Sequence, residues 1–330
     1  MNAVSRNSVT ASRRASMLKT AFGPIIGEAL DDDSVIEIMC NPDGAVWIER
    51  HGNERTQSAH LKPADCERII RLVASHIGYD CDRDHPIVSA ELPGAGERFE
   101  GILPPVATGP TFAIRKPAGR VIDLESYVDA GVMTGADALI LKTAIRKRRN
   151  IVIAGGTSSG KTTLANALLA EIAGCNERIV VLEDTRELRC AAPDLVALRT
   201  SKTINLTSLV RSTMRLRPDR IIVGEVRGGE ALDLLKAWNT GHPGGIATVH
   251  ANSAAAALTR IEQLVGERTS QVPCQLIADA IDLVIFIAKS GASRRVKEII
   301  RVDGVDHVQG YRISKASAPE FSIVTEGKTS

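Results

Sequence analysis

Apolar and polar residues alternate over short runs in the first third of the chain, as they do in strands with one buried face. Val35–Cys40 and Ala45–Arg50 are two such runs, and the turn sequence Asn-Pro-Asp-Gly joins them, so they predict a hairpin. Before them, residues 18–30 are predicted to form a helix. After them, residues 64–77 carry apolar side chains at helical spacing.

A second hairpin is predicted over residues 91–103, and a short strand over 111–116 ends at Pro117. We therefore predict a small α+β domain over residues 17–117. Residues 1–16 are rich in Ser, Arg and Asn and are predicted to be a disordered basic tail.

In the rest of the chain, apolar runs typical of buried strands alternate with runs of helical periodicity. Strands are predicted at residues 150–154, 178–183, 220–224, 246–250 and 283–287, and helices at 124–129, 136–147, 206–216, 229–239 and 254–265. This alternation predicts an α/β fold, a mostly parallel sheet with helices on both faces. We place this domain at residues 136–330, after a linker at 118–135, with a peripheral hairpin near its end.

Length and charge limit the classes of function. A chain of 330 residues exceeds what one core usually organises, which supports two domains. The net charge of +2 gives no reason to expect direct, specific DNA binding. No apolar run approaches the roughly 20 residues that a membrane span needs, so a role at a membrane is expected to be peripheral. The six cysteines are scattered without metal-binding spacing and indicate reduced thiols.

A glycine-rich loop connects the strand at residues 150–154 to a helical run. Its residues are Gly155, Gly156, Thr157, Ser158, Ser159, Gly160, Lys161, Thr162 and Thr163. Strand, loop and helix in this order are typical of a phosphate-binding loop, in which backbone N–H groups and the helix N-terminus attract phosphate oxygens. Lys161 is expected to reach the β- and γ-phosphates, and the Thr162 hydroxyl to hold Mg²⁺. A chance Gly/Ser turn is the alternative, but it does not explain both flanks.

Acidic residues end two of the predicted strands. Glu183 and Asp184 follow one apolar run, and Glu225 follows the next. Open α/β folds bind ligands at the carboxyl ends of their strands, so these acids are candidates for the Mg²⁺ shell and for positioning the attacking water. We favour Glu225 for catalysis and Glu183 for shared metal and water contacts, although the sequence alone leaves the division open.

A histidine and two arginines complete the candidate site. His250 ends a third strand, where it is either structural or a sensor of the γ-phosphate, and His242 orders the glycine-rich turn before it. Arg98 and Arg115 lie at hairpin and strand ends of the first domain. An arginine that is donated to the transferring phosphate raises the rate by about 10³–10⁵. The alternative for both is an ordinary surface arginine.

Four motifs in this order resemble those of the secretion and traffic ATPase superfamily. The phosphate loop is similar to its Walker A motif, residues 183–187 to its acidic box, residues 224–228 to its Walker B motif, and residues 240–252 to its histidine box. In the first domain, residues 35–44, 103–106 and 114–117 resemble the branch that serves conjugation and type IV secretion.

The resemblance implies a RecA-like ATPase domain joined by a short linker to the N-terminal domain. It also implies a homohexameric ring that holds ATP and Mg²⁺ between the two domains, with Arg98 and Arg115 as candidates for contacting phosphate. Such proteins serve inner-membrane components of a secretion or conjugation channel, at the cytoplasmic face of the inner membrane.

Three alternatives stay open at this point. A Flp/Tad-type pilus motor or a type II secretion motor belongs to the same class. A DNA-translocating motor of RecA type is a rival, but the near-neutral charge argues against it. A nucleotide-stabilised assembly scaffold without hydrolysis is another, but such a site would have no need of both strand-end glutamates.

Overall fold

The computed structural model of the chain divides into two compact units, residues 1–119 and residues 120–330. It describes residues 3–50, 54–93, 96–117, 121–201, 203–291, 293–306, 308 and 310–317, with side chains from residue 17 onward. None of the helices in these ranges is long and apolar enough to span a membrane.

The first unit is an antiparallel sheet with two helices. Its elements are α1 (Ala3–Asp31), β1 (Val35–Cys40), β2 (Ala45–Arg50), β3 (Thr56–His60), α2 (Pro63–His76), β4 (Ile87–Glu91), β5 (Arg98–Ile102) and β6 (Thr111–Arg115). In the described residues, the six strands lie in the order β3-β2-β1-β6-β5-β4. The predicted hairpin of β1 and β2 is confirmed. The second hairpin is formed by β4 and β5, so its first strand precedes the predicted range of 91–103, and residues 94–95 of that range lie outside the described residues. The prediction missed β3, because its five residues are polar or small and mostly exposed.

One hydrophobic core holds the first unit together. Apolar residues of both helices and five of the strands are buried in it, among them Ile26, Ile38, Ile70, Phe99 and Ile114. Ile38 and Ile114 are opposed across β1 and β6, so the same face of both strands enters this core.

Helix α1 differs from the prediction at its start and in its interior. In the structure the helix begins at Ala3, within the segment predicted to be disordered. No Gly or Pro, the residues that most disfavour a helix, occurs between Ala3 and Gly23. At Gly23 the backbone leaves helical geometry, with φ 70°, immediately before Pro24. The predicted helix at residues 18–30 is therefore kinked, because Pro24 cannot donate its backbone nitrogen to the preceding turn.

The second unit is the larger one, and it alternates strands and helices. Its elements are α3 (Leu124–Asp129), α4 (Gly135–Arg146), β7 (Ile151–Ala154), α5 (Lys161–Ala173), β8 (Ile179–Glu183), β9 (Leu195–Arg199), α6 (Leu206–Thr213), β10 (Arg220–Val223), α7 (Glu230–Asn239), β11 (Ile246–Val249), α8 (Ala254–Gly266), α9 (Cys274–Ala280), β12 (Leu283–Ser290), β13 (Ser293–Asp306) and β14 (Gly310–Lys315).

Within the described part of this unit, eight strands form one sheet in the order β14-β13-β12-β7-β11-β10-β8-β9. The strands from β12 to β9 are parallel, and β13 and β14 continue the sheet antiparallel. Two hydrophobic cores cover its faces, one with α3, α4 and α5 and the other with α6 to α9. The predicted α/β sheet with helices on both faces is thereby confirmed.

Three predictions in the second unit need correction. The C-terminal hairpin is not peripheral, because β13 pairs along the whole of β12 and extends the main sheet. Strand β9 was missed, since it is an edge strand whose Leu195 and Ala197 are exposed. Helix α9 was missed because it has only seven residues and follows Pro273.

The predicted linker also belongs in part to the second unit. Leu124 and Tyr127 of α3 and Met133 are buried in the core beside α4 and α5, so the chain is already part of this unit well before residue 136. Residues 1–2 of the predicted tail, 118–120 of the predicted linker and 318–330 of the predicted second domain lie outside the described residues.

Asn150 ties three segments together at the amino end of β7. Its side chain is buried, with 4% of its surface exposed, and its Oδ1 accepts the backbone N–H groups of Gly244 and Gly245 at 2.8 and 2.9 Å. Its Nδ2 donates to the Ala280 carbonyl oxygen at 2.8 Å. This one amide therefore fixes the starts of β11 and of the segment that enters β12, relative to β7.

We expect Asn150→Ala to lower the free energy of unfolding by about 3 kcal/mol, because it leaves two N–H groups and one carbonyl buried without partners. Urea denaturation followed by circular dichroism measures the change. Asn239→Ala, an exposed residue at the end of α7, is the matched control and should stay within about 0.5 kcal/mol of the wild type. Equal stability of the two variants would contradict the role assigned to Asn150.

Candidate active site

The glycine-rich loop runs from β7 to α5, as predicted, and its backbone is tightly curled. Ser158 and Gly160 both have left-handed backbone conformations, with φ of 57° and 97°. Position 155 has no room for a side chain, because a Cβ there would lie 2.4 Å from the Ile287 carbonyl oxygen and 2.5 Å from the Ser159 Oγ. The sequence Gly-Gly-Thr-Ser-Ser-Gly therefore folds into a closed turn that opens directly into the N-terminus of a helix.

Lys161, the first residue of α5, is the buried cation of this loop. Only 7% of its surface is exposed, and its Nζ donates to the carbonyl oxygens of Gly155 and Gly156, both at 2.9 Å. The ammonium group thus lies against the start of the loop. The Ser159 Oγ is also buried, and among the described residues it has no hydrogen-bond partner. A buried hydroxyl of this kind usually has a polar partner in a folded protein.

Thr162 contacts an acid that sequence reasoning had not singled out. Its Oγ1 donates to Glu187 Oε2 at 3.2 Å. The backbone of this acidic segment is fixed by Asn166 of α5, which donates to the Glu187 carbonyl and accepts the Arg189 N–H. Glu187 is the last residue of the acidic box, so the motif contained the signal, but only the fold shows which of its acids reaches the loop.

Glu183 orders the backbone of the acidic segment that follows β8. Its carboxylate is buried, and its Oε1 accepts the backbone N–H groups of Glu187 and Leu188 at 2.9 and 2.8 Å. Gly224 packs on it so closely that a Cβ would lie 3.0 Å from the Glu183 Cγ. Glu183 thus shapes the segment that carries Glu187. A direct metal contact from Glu183 stays a prediction.

Glu225 lies between a histidine and an arginine. Its Oε1 is 2.8 Å from the His250 Nε2, and its Oε2 accepts a hydrogen bond from Arg227 Nη2 at 2.5 Å. The turn after β10 is held by two further contacts. Thr248 Oγ1 donates to the Gly224 carbonyl, and Glu230 accepts the N–H groups of Arg227 and Gly228. The sequence indicated Glu225 and His250, and the fold adds Arg227 to them.

Charge and burial set the protonation of this cluster. Partial burial lowers the pKa of His250 below its ordinary 6.5, the nearby Lys161 lowers it further, and Glu225 opposes both. The hydrogen bond to Glu225 raises the pKa of Arg227. Near neutral pH, His250 is therefore a neutral imidazole that can donate Nε2–H to Glu225 Oε1, while Arg227 stays charged.

These residues share one edge of the sheet. Val249 is opposed to Ala154 across β11 and β7, and Val223 is opposed to Leu182 across β10 and β8. The segments that follow these strands start in step, as predicted for a parallel sheet. The phosphate loop, Glu183, Glu225 and His250 are brought together, and oxygen donors suited to a hard cation, Thr162 and Glu187, lie beside the loop.

Arg98 and Arg115 lie in the first unit and are brought next to each other. They are directly opposed across β5 and β6. Glu91 is opposed to Arg98 on one side, and Glu37 to Arg115 on the other. Opposed residues on neighbouring strands point to the same face, so the four form one row with the two arginines at its centre. Their contact with phosphate stays a prediction.

Comparison with known proteins places this arrangement in a family. Residues 24–312 match the family described as "Type II/IV secretion system protein". The chain belongs to this family. Family membership confirms the resemblance to secretion and traffic ATPases that the four motifs indicated.

Two relatives and one solved structure illustrate the similarity. The chain is 49% identical over 316 residues to the conjugal transfer protein TrbB of Rhizobium radiobacter, covering 95% of this chain and 96% of that protein. It is 35% identical over 320 residues to the type IV secretion system protein PtlH of Bordetella pertussis, covering 84% and 93%. The fold is similar to that of the pilus retraction motor PilT with bound ADP, with a TM-score of 0.56, 18% identity and coverage of 88% and 80%.

We expect the stability of the protein to fall as the pH drops from 6.5 toward the lowered pKa of His250. In that window the unfolded chain binds a proton at this imidazole and the folded protein does not, so protonation favours unfolding. Above about pH 7 both states are neutral and the effect is absent. Urea denaturation at a series of pH values measures it.

His250→Asn should reduce the slope of stability against pH below 6.5, with no change of slope above 7. The effect is modest, since the side chain is 46% exposed. A slope unchanged by the substitution would show that the imidazole titrates alike in the folded and unfolded states.

Proposed function

We propose that this chain is an ATPase that hydrolyses Mg-ATP to power a conjugative DNA transfer or type IV secretion machine. The observation that carries the proposal is the convergence of the Lys161 loop, Glu225 and His250 at one edge of a parallel sheet. Membership of the type II/IV secretion family supports the same conclusion. The similarity to TrbB and PtlH favours conjugation or type IV secretion over a pilus or type II system.

The loop is the triphosphate site in this proposal. Its curled backbone presents N–H groups, and Lys161 and the Ser159 hydroxyl add donors where phosphate oxygens would lie. The Thr162 hydroxyl and the Glu187 carboxylate would hold Mg²⁺, with Glu183 orienting the segment that presents Glu187. When bound, Mg²⁺ neutralises charge on the phosphate oxygens.

Glu225 is the residue that we assign to the attacking water. An ionised carboxylate can accept a hydrogen bond from water and take its proton as the oxygen bonds to the γ-phosphorus. His250 contacts one carboxylate oxygen and Arg227 the other, and the two contacts together orient the group. His250, with half of its side chain exposed, is also a candidate for sensing the γ-phosphate.

Assembly belongs to the proposal as well. The second unit would be a RecA-like motor domain, and the chain would form a homohexamer in which Arg98 and Arg115 contact the phosphates of a bound nucleotide. Their opposed placement on β5 and β6 puts both arginines on the same face of the sheet, where one phosphate group could accept hydrogen bonds from both. The ring would act at the cytoplasmic face of the inner membrane, on inner-membrane components of the channel.

Lys161→Ala should abolish ATP turnover and leave the fold intact, because it removes the cation of the phosphate loop. Glu225→Gln should bind ATP and hydrolyse it about 10²–10⁴-fold more slowly, since the amide cannot accept the proton. Phosphate release and nucleotide binding measure the two effects. Lys236→Ala, an exposed lysine on α7, is the control. A wild-type rate of ATP hydrolysis in Lys161→Ala would contradict the assignment of this loop as the triphosphate site.

Arg98→Ala should lower the hydrolysis rate per subunit by about 10³-fold or more while the hexamer persists, because an arginine at the transferring phosphate contributes on that scale. The measurement is ATP hydrolysis against protein concentration, with the mass followed by light scattering. Arg68→Ala on α2, an exposed residue paired with Asp65, is the matched control. Activity that is independent of both concentration and Arg98 would mean a self-sufficient monomeric site.

A further inference from the structure

Arg294 lies on β13, on the outer side of the phosphate loop. Its Nε donates to the Ser158 carbonyl oxygen at 3.3 Å. A Cβ built on Gly160 would lie 2.9 Å from the Arg294 Cδ and 3.4 Å from its Nε, so the side chain runs along the loop from Gly160 to Ser158. Neither the four sequence motifs nor the proposed catalytic roles use this arginine.

Arg294 contacts the segment of the loop in which two residues have left-handed backbone conformations. Ser158 has a left-handed backbone at φ 57°, a conformation that residues with a Cβ adopt at a cost. Gly160, two residues later, has φ 97°. Such conformations persist where the surroundings hold them in place. The Arg294 guanidinium donates to the carbonyl of the Ser158–Ser159 peptide, which lies between the two residues with left-handed backbone, Ser158 and Gly160.

The geometry of the peptide unit gives this contact a consequence. In a trans peptide the carbonyl oxygen of Ser158 and the N–H of Ser159 point in opposite directions. With the carbonyl held by Arg294, the Ser159 N–H points the other way, into the loop, where it donates to the Gly156 carbonyl oxygen at 3.4 Å, a long hydrogen bond that a phosphate oxygen could replace. The orientation of this inward donor is therefore coupled to Arg294.

The backbone of Arg294 is held in place by strand pairing and by a hydrogen bond close to it. Its strand pairs with β12, with Lys289 opposite Arg294, and β12 is the neighbour of the loop-bearing strand β7. Two residues further along, the Val296 N–H donates to the Val132 carbonyl oxygen at 2.8 Å, which ties β13 to the segment before α4. The contact with Ser158 thus comes from the sheet rather than from a freely moving side chain on a loop.

We propose that Arg294 is a positioning residue for phosphate binding, which holds the Ser158 carbonyl outside the loop so that the N–H groups from Ser159 onward face a bound polyphosphate. The proposal rests on the nucleotide-binding function proposed above. It concerns the phosphate chain alone, since Arg294 acts through the backbone of the loop and not on the nucleoside.

The test compares Arg294→Met, which keeps an aliphatic stem beside Gly160 but has no donor, with Arg294→Lys, which keeps a charged donor. Arg295→Met is the control, because Arg295 is exposed and its side chain points to the opposite face of β13. The ligands are ADP and inorganic tripolyphosphate, measured by calorimetry, together with kcat and KM for ATP hydrolysis.

For Arg294→Met we expect both ADP and tripolyphosphate to bind about tenfold more weakly, the scale of one hydrogen bond from a charged donor. KM for ATP should rise by a similar factor with kcat within about twofold, because the loop contacts ground state and transition state alike. Arg294→Lys should recover part of the affinity, and Arg295→Met should match the wild type.

Three outcomes would overturn the proposal. Weaker binding of ADP with unchanged tripolyphosphate would mean a contact with the nucleoside. Unchanged binding of both ligands would mean that the loop does not need the arginine. A fall in kcat with KM unchanged would mean a transition-state role. Thermal unfolding without ligand shows whether the variants fold. If Arg294→Met does not fold, the comparison is made between Arg294→Lys and the wild type. Failure of the wild type to bind ADP would instead contradict the proposed function.

Discussion

Parallel strands that are buried on both faces have no polar face to fix their register, so the register of this sheet depends on polar side chains at its amino ends. Asn150 binds the Gly244–Gly245 backbone and the Ala280 carbonyl, and the buried Arg220 at the start of β10 donates to the Gly244 and Ile145 carbonyls and pairs with Glu177. These contacts fix β7, β10 and β11 in step. Because the strands are in step, the loops that follow their carboxyl ends, where the proposed chemistry occurs, are also aligned with one another.

The two strand-end glutamates differ in the partners that hold them. Glu183 accepts two backbone N–H groups and organises its own segment, whereas Glu225 is held by the side chains of His250 and Arg227. The surroundings of the two glutamates therefore differ more than their sequence context does. Glu183 orders backbone, and Glu225, whose partners are side chains, is the glutamate that we assign to the attacking water.

Most of the second unit and the motif residues could be predicted from the sequence, because buried parallel strands are continuous apolar runs and the phosphate loop has a fixed spacing. The contacts of Glu187 and Arg294 could not, since they depend on which segments the tertiary fold brings against the loop. Edge elements were missed for a related reason. Strand β9 and helix α9 bury few residues, and little periodicity marks them. The linker was misjudged because the sequence predicts the short helix at 124–129 but not that Leu124, Tyr127 and Met133 pack into the core of the second unit, which depends on tertiary contacts.

The row of Glu91, Arg98, Arg115 and Glu37 combines two kinds of charge pair. Each arginine is directly opposed to an acid on its outer side, and Glu37 is opposed to Glu49 in turn. Opposite charges in direct register stabilise neighbouring strands, whereas the central pair of arginines, taken alone, repels. The acids therefore let the sheet carry two arginines side by side on one face. A phosphate group that accepted hydrogen bonds from both would meet two guanidinium groups already held in register, which is why this pair supports the proposed contact with nucleotide.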